Sequence, residues 1–318
     1  MSRSPNELEL VCADFAPALD LLRSLGLRLD VIYPADEPHT AILTRDGATI
    51  RLTSRPDAPP MSAQLAPFEP QFLVTRANGG GGEGRAGMHY RDLIPGRLGG
   101  RYIASHIMIA EGGPVADWVH FHRIAVQLIV VRRGWVRVVY EGQGAPFVMQ
   151  AGDMVVQPPG IRHRVLESGD GLEVVEITAP ALHETFAEHD LTLPDGAGVD
   201  PARTFGGQYF LHHVAADAPW EAWHGGEAQA TGVRGATGLA DARVVRAGAS
   251  PDIAVPAHEG ELVFGFVLEG AARLDFSSDH PLGPADAFVI PPGEAWRLSG
   301  ASADFRLLHV TTDRLDGL

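Results

Sequence analysis

His120-Phe121-His122 is followed by Gln127 and Gly134, and about 40 residues later by Pro158-Pro159-Gly160-Ile161-Arg162-His163. Side chains on a strand alternate between its faces, so His120 and His122 project together. His163 opens a neighbouring strand just past a Pro-Pro-Gly turn. Three imidazoles converging inside a β-barrel can form a site for one divalent metal. Three neutral ligands leave the ion its full charge, which favours an anionic substrate as the compensating ligand.

Short strands must position these residues. Tyr102 to Ala110, Val119 to Phe121, Gln127 to Arg132, Trp135 to Tyr140, Phe147 to Met149, Asp153 to Gln157, His163 to Glu167 and Leu172 to Thr178 are separated by turn signals, the pattern of a sandwich or barrel. A polar, helical stretch is expected around His183 to Asp190. Residues 208–314 repeat the all-β character. Leu268-Glu269-Gly270 aligns with Arg132-Arg133-Gly134, and Ile290-Pro291-Pro292-Gly293 with Gln157-Pro158-Pro159-Gly160, so one barrel occurs twice. In the second copy Pro256 replaces His120, His258 matches His122, Val263 replaces Gln127 and Trp296 replaces His163. One histidine cannot hold a metal, so that copy is expected to be structural, with Trp296 filling its pocket. Glu259 and Glu261 offer a weaker alternative site there.

The first barrel resembles the cupin superfamily. The first motif of that family reads here as Gly113, His120, His122, Gln127 and Gly134, and the second as Gly152, Pro158-Pro159-Gly160 and His163. Gln127 stands where the family usually has a glutamate ligand, which implies a neutral amide donor to the metal or a group that orients water or substrate beside it. The resemblance implies a mainly β chain of two cupin (double-stranded β-helix, jelly-roll) barrels, with a metal in the first. Residues 7–54 read as a small βαβββ unit with Asp14 as N-cap, and resemble half of a glyoxalase-type (vicinal-oxygen-chelate) module whose usual ligand positions are apolar. The expected organisation is a βαβββ unit over 1–55, a Pro- and Gly-rich connector over 56–100, and the metal-binding barrel over 101–190. A second connector with short strands over 191–240 and the degenerate barrel over 241–318 complete it.

The implied cofactor is one divalent metal per chain, Fe2+ first and Ni2+, Mn2+, Zn2+ or Cu2+ as alternatives. The implied function is a metal-dependent enzyme acting on a small oxygenated, anionic substrate, with dioxygenase chemistry leading and isomerase or lyase chemistry second. A non-catalytic binding or scaffold protein is the competing class. Gln127 carries the catalytic assignment, as the group that tunes charge or positions water. His106, Trp118, Arg137 and Tyr140 are candidates for contacting substrate. Arg162 and Arg164 flank His163 and are expected on the opposite face.

Composition excludes several classes. The formal charge of −15 disfavours nucleic acid and anionic membranes as partners. All 25 basic residues are arginine, and no phosphate-binding loop with its lysine is present. A single cysteine, Cys12, rules out an internal disulfide framework and fits a reducing compartment. With no signal-peptide profile at the N-terminus, a cytoplasmic homodimer is the expectation.

Overall fold

The computed structural model describes residues 7–58, 65–83 and 88–315. Parts of the expected connector, 59–64 and 84–87, lie outside the described residues. Both barrels are built from pairs of antiparallel sheets. In the first, one sheet carries His120–His122, His163–Ser168, Trp135–Tyr140 and Phe147–Gln150, and the other Met154–Val156, Val126–Arg133, Leu172–Ala179 and Ile103–Ile109. In the second, Ala240–Arg246, Arg306–Thr312, Leu262–Glu269 and Ala287–Val289 face a sheet of Ile253–Val255, Trp296–Ser299, Ala272–Phe276 and Ser278–Leu282.

The barrels pack back to back, and this explains the near-continuous apolar runs of their central strands. Along Val126–Arg133, Val126, Leu128 and Val130 lie in the core shared between the barrels, whereas Val131 lies in the first barrel's own core. Leu262–Glu269 mirrors this. Leu262, Phe264 and Phe266 face the shared core, and Val263 and Val267 face the second lumen. Gly134 and Gly270 both turn their chains with left-handed backbone (φ 76° and 70°), and a Cβ on Gly270 would lie 2.7 Å from the backbone of Phe305.

The seam between the barrels also holds buried polar groups. Arg101 pairs with Glu261 (Nε to Oε2 2.9 Å), and the Tyr102 hydroxyl donates to the same carboxylate at 2.9 Å. Glu261 is therefore committed to the seam and is no part of a second metal site. Arg91 donates to the Ala285 carbonyl (2.7 Å) across the seam and to Nδ1 of His106 (3.2 Å).

Four departures from expectation matter. The stretch around His183 to Asp190 is not helical: Thr185–Ala187 is a strand, paired on one side with His120–His122 and on the other with Arg28–Tyr33. Through it the βαβββ unit (Glu7–Val11, Phe15–Ser24, Arg28–Tyr33, Thr40–Arg45 and Ala48–Thr53) joins the sheet of the first barrel that carries His120, His122 and His163. The segment read as a connector over 56–100 places Leu73–Thr75 on the second barrel and His89–Asp92 on the first. Within 191–240, Leu211–His213 pairs with the first barrel and Gly226–Ala230 with the second. At the start of the helix Phe15–Ser24, Asp14 has extended backbone and no side-chain capping bond. Among the described residues no helix is long and apolar enough to cross a membrane.

Candidate metal centre

Pairing brings the three histidines together. His120 lies directly opposite His163 in the antiparallel register, and Tyr140 opposite His163 on the other side. All three imidazoles are buried, and their ligand nitrogens lie within 4.8 Å of one another. The rings of His120 and His163 are 4.2 Å apart between centroids, and those of His120 and His122 5.1 Å.

Local hydrogen bonds set the ring orientations. Nδ1 of His120 donates to the Trp118 carbonyl at 2.7 Å, and Nδ1 of His163 to the Ile161 carbonyl at 3.0 Å. A carbonyl only accepts, so in the neutral rings the Nε2 atoms carry the lone pairs. The Thr185 hydroxyl holds Nδ1 of His122 at 3.1 Å. This is the arrangement a metal requires of imidazole, with one nitrogen anchored and a lone pair on the other, which at His163 accepts from the Gln157 amide in this structure. The donor set, its burial and its tautomers fit one divalent ion.

Gln127 is buried at the end of a polar chain. Its carbonyl accepts from Nε2 of Gln157 at 2.7 Å, and its amide donates to Oε1 of Glu176 at 2.9 Å. Gln157 also lies 3.0 Å from Nε2 of His163 and accepts from the Tyr140 hydroxyl at 2.9 Å. Both ends of the Gln127 amide are thus engaged by side chains beside the imidazoles. Burial, reinforced by the charges of Glu176 and Asp117, pushes the Tyr140 phenol well above its ordinary pKa, so it acts as a donor.

Sequence reasoning missed Glu176 and Gln157. Glu176 shares a face of its strand with Leu172 and Val174, which line the lumen, while Val175 and Ile177 face the shared core. A carboxylate on the same face as Leu172 and Val174 is the sequence signal that could have found it. Gln157 stands immediately before the Pro-Pro-Gly turn that delivers His163.

Beside the imidazoles is a cavity of about 110 Å³. Ile107, Ile129, Val138, Met149 and Val174 line it, and Arg164, expected on the opposite face from His163, also borders it; apart from Arg164, Tyr90, the imidazoles and the Tyr140–Gln157–Gln127–Glu176 chain its wall is largely aliphatic. Of the four residues expected to contact substrate, Tyr140 lines this cavity and three do not. His106 points to the seam, donating from Nε2 to Glu173 at 2.8 Å, because Ile107 and Ile109 take the inward positions of its strand. Arg137 is on the outer face with an ion pair to Glu167 at 2.8 Å, between the inward Val136 and Val138. Trp118 does not line the cavity; its ring packs between the hydrophobic core of the βαβββ unit and the edge of the His120 imidazole (centroids 5.1 Å apart), and its carbonyl accepts from the same ring.

In the second barrel, Val255 lies opposite Trp296 as His120 lies opposite His163, so the residue equivalent to His120 is Val255, one place before the Pro256 expected from alignment. His258 is turned to its own loop, accepting from the Gly260 amide at 2.9 Å. Trp296 is buried in the second lumen among Phe288, Phe305 and Leu298.

No protein-family model matches the sequence, and no curated protein matches it. Solved structures do resemble it. A mutant of Bacillus subtilis oxalate decarboxylase superposes with a TM-score of 0.57 over 80% of each chain at 12% identity. A mutant of salicylate 1,2-dioxygenase from Pseudoaminobacter salicylatoxidans gives 0.51 over 66% of this chain and 70% of that one, at 17% identity. Protein YlbA from E. coli gives 0.51 over 79% and 94%, at 11% identity. At these identities the likeness is one of architecture, and with the paired barrels, the repeated turns and the three-histidine cluster it establishes that this chain has the two-barrel cupin fold.

Proposed function

We propose that the first barrel holds one divalent metal on Nε2 of His120, His122 and His163 and that the chain is an enzyme acting there on a small, oxygen-bearing substrate. The carrying observation is the pairing of three oriented, buried imidazoles with an open lumen. A barrel kept only for structure has no use for that space, which the second barrel fills.

A metal at this position supplies Lewis-acid polarisation of a substrate oxygen and, as Fe2+, redox chemistry toward dioxygen. The residues do the rest. The aliphatic wall excludes water and accepts an apolar substrate body. Three neutral ligands leave positive charge in the site, so an enolate, phenolate or carboxylate oxygen is the preferred ligand atom. Gln127 acts as a positioning residue: held between Gln157 and Glu176, it keeps the carboxylate aimed at the lumen.

Dioxygenase chemistry is the leading reading, favoured by the all-histidine donor set. Glu176 favours a second one. A carboxylate beside the imidazoles can take a proton from carbon or hydroxyl, which is the requirement of a metal-dependent isomerase or lyase.

Elemental analysis of the purified protein tests the proposal. About one metal per chain, lost in a His120→Ala/His122→Ala variant, is the expected result. No metal in either protein, even after anaerobic reconstitution, overturns it and leaves a binding or scaffold protein. Oxygen uptake by the iron-loaded protein with small phenols, diketones and keto acids then separates the two chemistries.

A further inference from the structure

A second, smaller chamber of about 50 Å³ adjoins the metal-centre cavity, sharing Tyr90, His122 and Glu176 with it as walls. Its remaining polar walls come from different parts of the chain: Asp36 from the βαβββ unit, Ser105 from a barrel strand, and His183 and Thr185 from the segment joining the two.

Two acceptors on this chamber are unsatisfied. His183 is only 3% exposed; its Nδ1 donates to the Pro180 carbonyl at 3.1 Å, so Nε2 carries a lone pair. That Nε2 is buried with no hydrogen-bond partner among the described residues, and neither has Oδ1 of Asp36, whose other oxygen is taken by Arg97 at 2.6 Å. No cationic side chain lines the chamber. Buried acceptors are normally paired, so a polar enclosure with two idle ones is built to receive a donor.

We propose that this chamber is a specificity subsite that receives a donor substituent of the substrate, an amino group donating to both Nε2 of His183 and Oδ1 of Asp36 or a hydroxyl donating to one of them. The substrate's apolar body lies in the aliphatic cavity, and its anionic oxygen faces His120, His122 and His163. The inference rests on the metal-enzyme reading and narrows it to substrates that carry a donor group beyond the metal-binding oxygen. It also gives the βαβββ unit a part in the site: strand pairing to Thr185–Ala187 and the bond from the Ala35 amide to the His183 carbonyl (3.1 Å) hold Asp36 at the chamber wall.

The test is calorimetric titration of the metal-loaded protein with benzoate, 3-hydroxybenzoate and 3-aminobenzoate, which share one body and one anionic group. The hydroxy and amino probes are expected to bind about 10-fold or more tightly than benzoate. In His183→Phe and in Asp36→Ala the preference for the amino probe falls to about threefold or less, and in at least one of the two variants that for the hydroxy probe does the same, while metal content and benzoate affinity stay near those of the parent. Equal affinity for the three probes in the parent protein, or a preference that survives both substitutions, overturns the inference and leaves a chamber holding structural water only. Neither variant is needed for the first of these outcomes, so a variant that fails to fold does not spare the proposal. Absence of bound metal is a separate result, which overturns the metal-enzyme reading instead.

Discussion

At equivalent register positions the first lumen holds His120, His163, Gln127, Gln157 and Glu176, and the second holds Val255, Trp296, Val263, Ile290 and His309. Gln157 donates its backbone amide to the carbonyl of Gln127, and Ile290 does the same to Val263, so the frames match bond for bond. What differs is filling. Where the first barrel has Ile129 opposite Val155, the second has Gly265 opposite Phe288, and a Cβ on Gly265 would lie 2.2 Å from the Phe288 ring. Phe288, Trp296 and Phe305 close the second lumen as ordinary core. The first lumen leaves its space open and surrounds it with groups that interact with ions. One backbone thus supports either a packed core or a site, and the choice is made by a handful of inward side chains.

The sharpest way to break this comparison is His163→Trp, which installs the second barrel's residue at the centre of the first. Bound metal should fall from about one per chain to background by elemental analysis; retained metal would place the site elsewhere. Next in size, Phe288→Ala should destabilise the protein by about 3–5 kcal/mol in urea denaturation, the usual loss for a buried aromatic. Ile129→Ala, beside existing open space, should lose less than about 3 kcal/mol. Equal losses would mean the two lumens are equally packed. Gln157→Leu imitates Ile290, and metal affinity measured by chelator competition should drop about 10- to 100-fold, the usual effect of removing an outer hydrogen bond to a ligand; an unchanged affinity would separate the amide chain from the metal.

The smallest effect is on acid stability. Burial lowers the pKa of His106, in the seam, to about 4 and that of His309, in the second lumen, to about 3. Both rings are neutral in the folded protein, whereas the unfolded chain takes up protons near 6.5. Their contribution is therefore complete above about pH 6.5 and declines as pH falls, levelling off below the folded values. Between about pH 7 and pH 5.5 each should remove about 1 kcal/mol. His309→Leu should flatten part of that slope in urea midpoints measured at the two pH values; an unaltered slope would remove His309 as a source.

Much of the first barrel was legible because its signals are local. His-x-His on a strand, Pro-Pro-Gly before the third histidine and glycines at forced turns each declare a conformation within a few residues. The repeat was legible for the same reason, since its turns recur. His106 was misplaced because the strand Ile103–Ile109 is covered on both faces, by the lumen and by the second barrel, and a strand apolar on both sides does not reveal its inward parity. Arg137 sits in a strand whose neighbours Val136 and Val138 take the lumen, and its outward direction follows from the same register. The one-residue offset between Pro256 and Val255 is a question of register, which alignment of turns does not answer. Thr185–Ala187 is a strand because Arg28–Tyr33 and His120–His122 flank it, although its own polar composition suggested a helix.

By itself, the sequence determined the two-barrel architecture and the three imidazoles, since strand periodicity and metal-ligand spacing are properties of short stretches of chain. Tertiary structure alone decided which lumen is open, that Glu176 and Gln157 join the imidazoles, and that Asp36 meets His183. Each of these depends on side-chain direction across strands far apart in sequence, and that direction is set only when the strands pair and the sheets close.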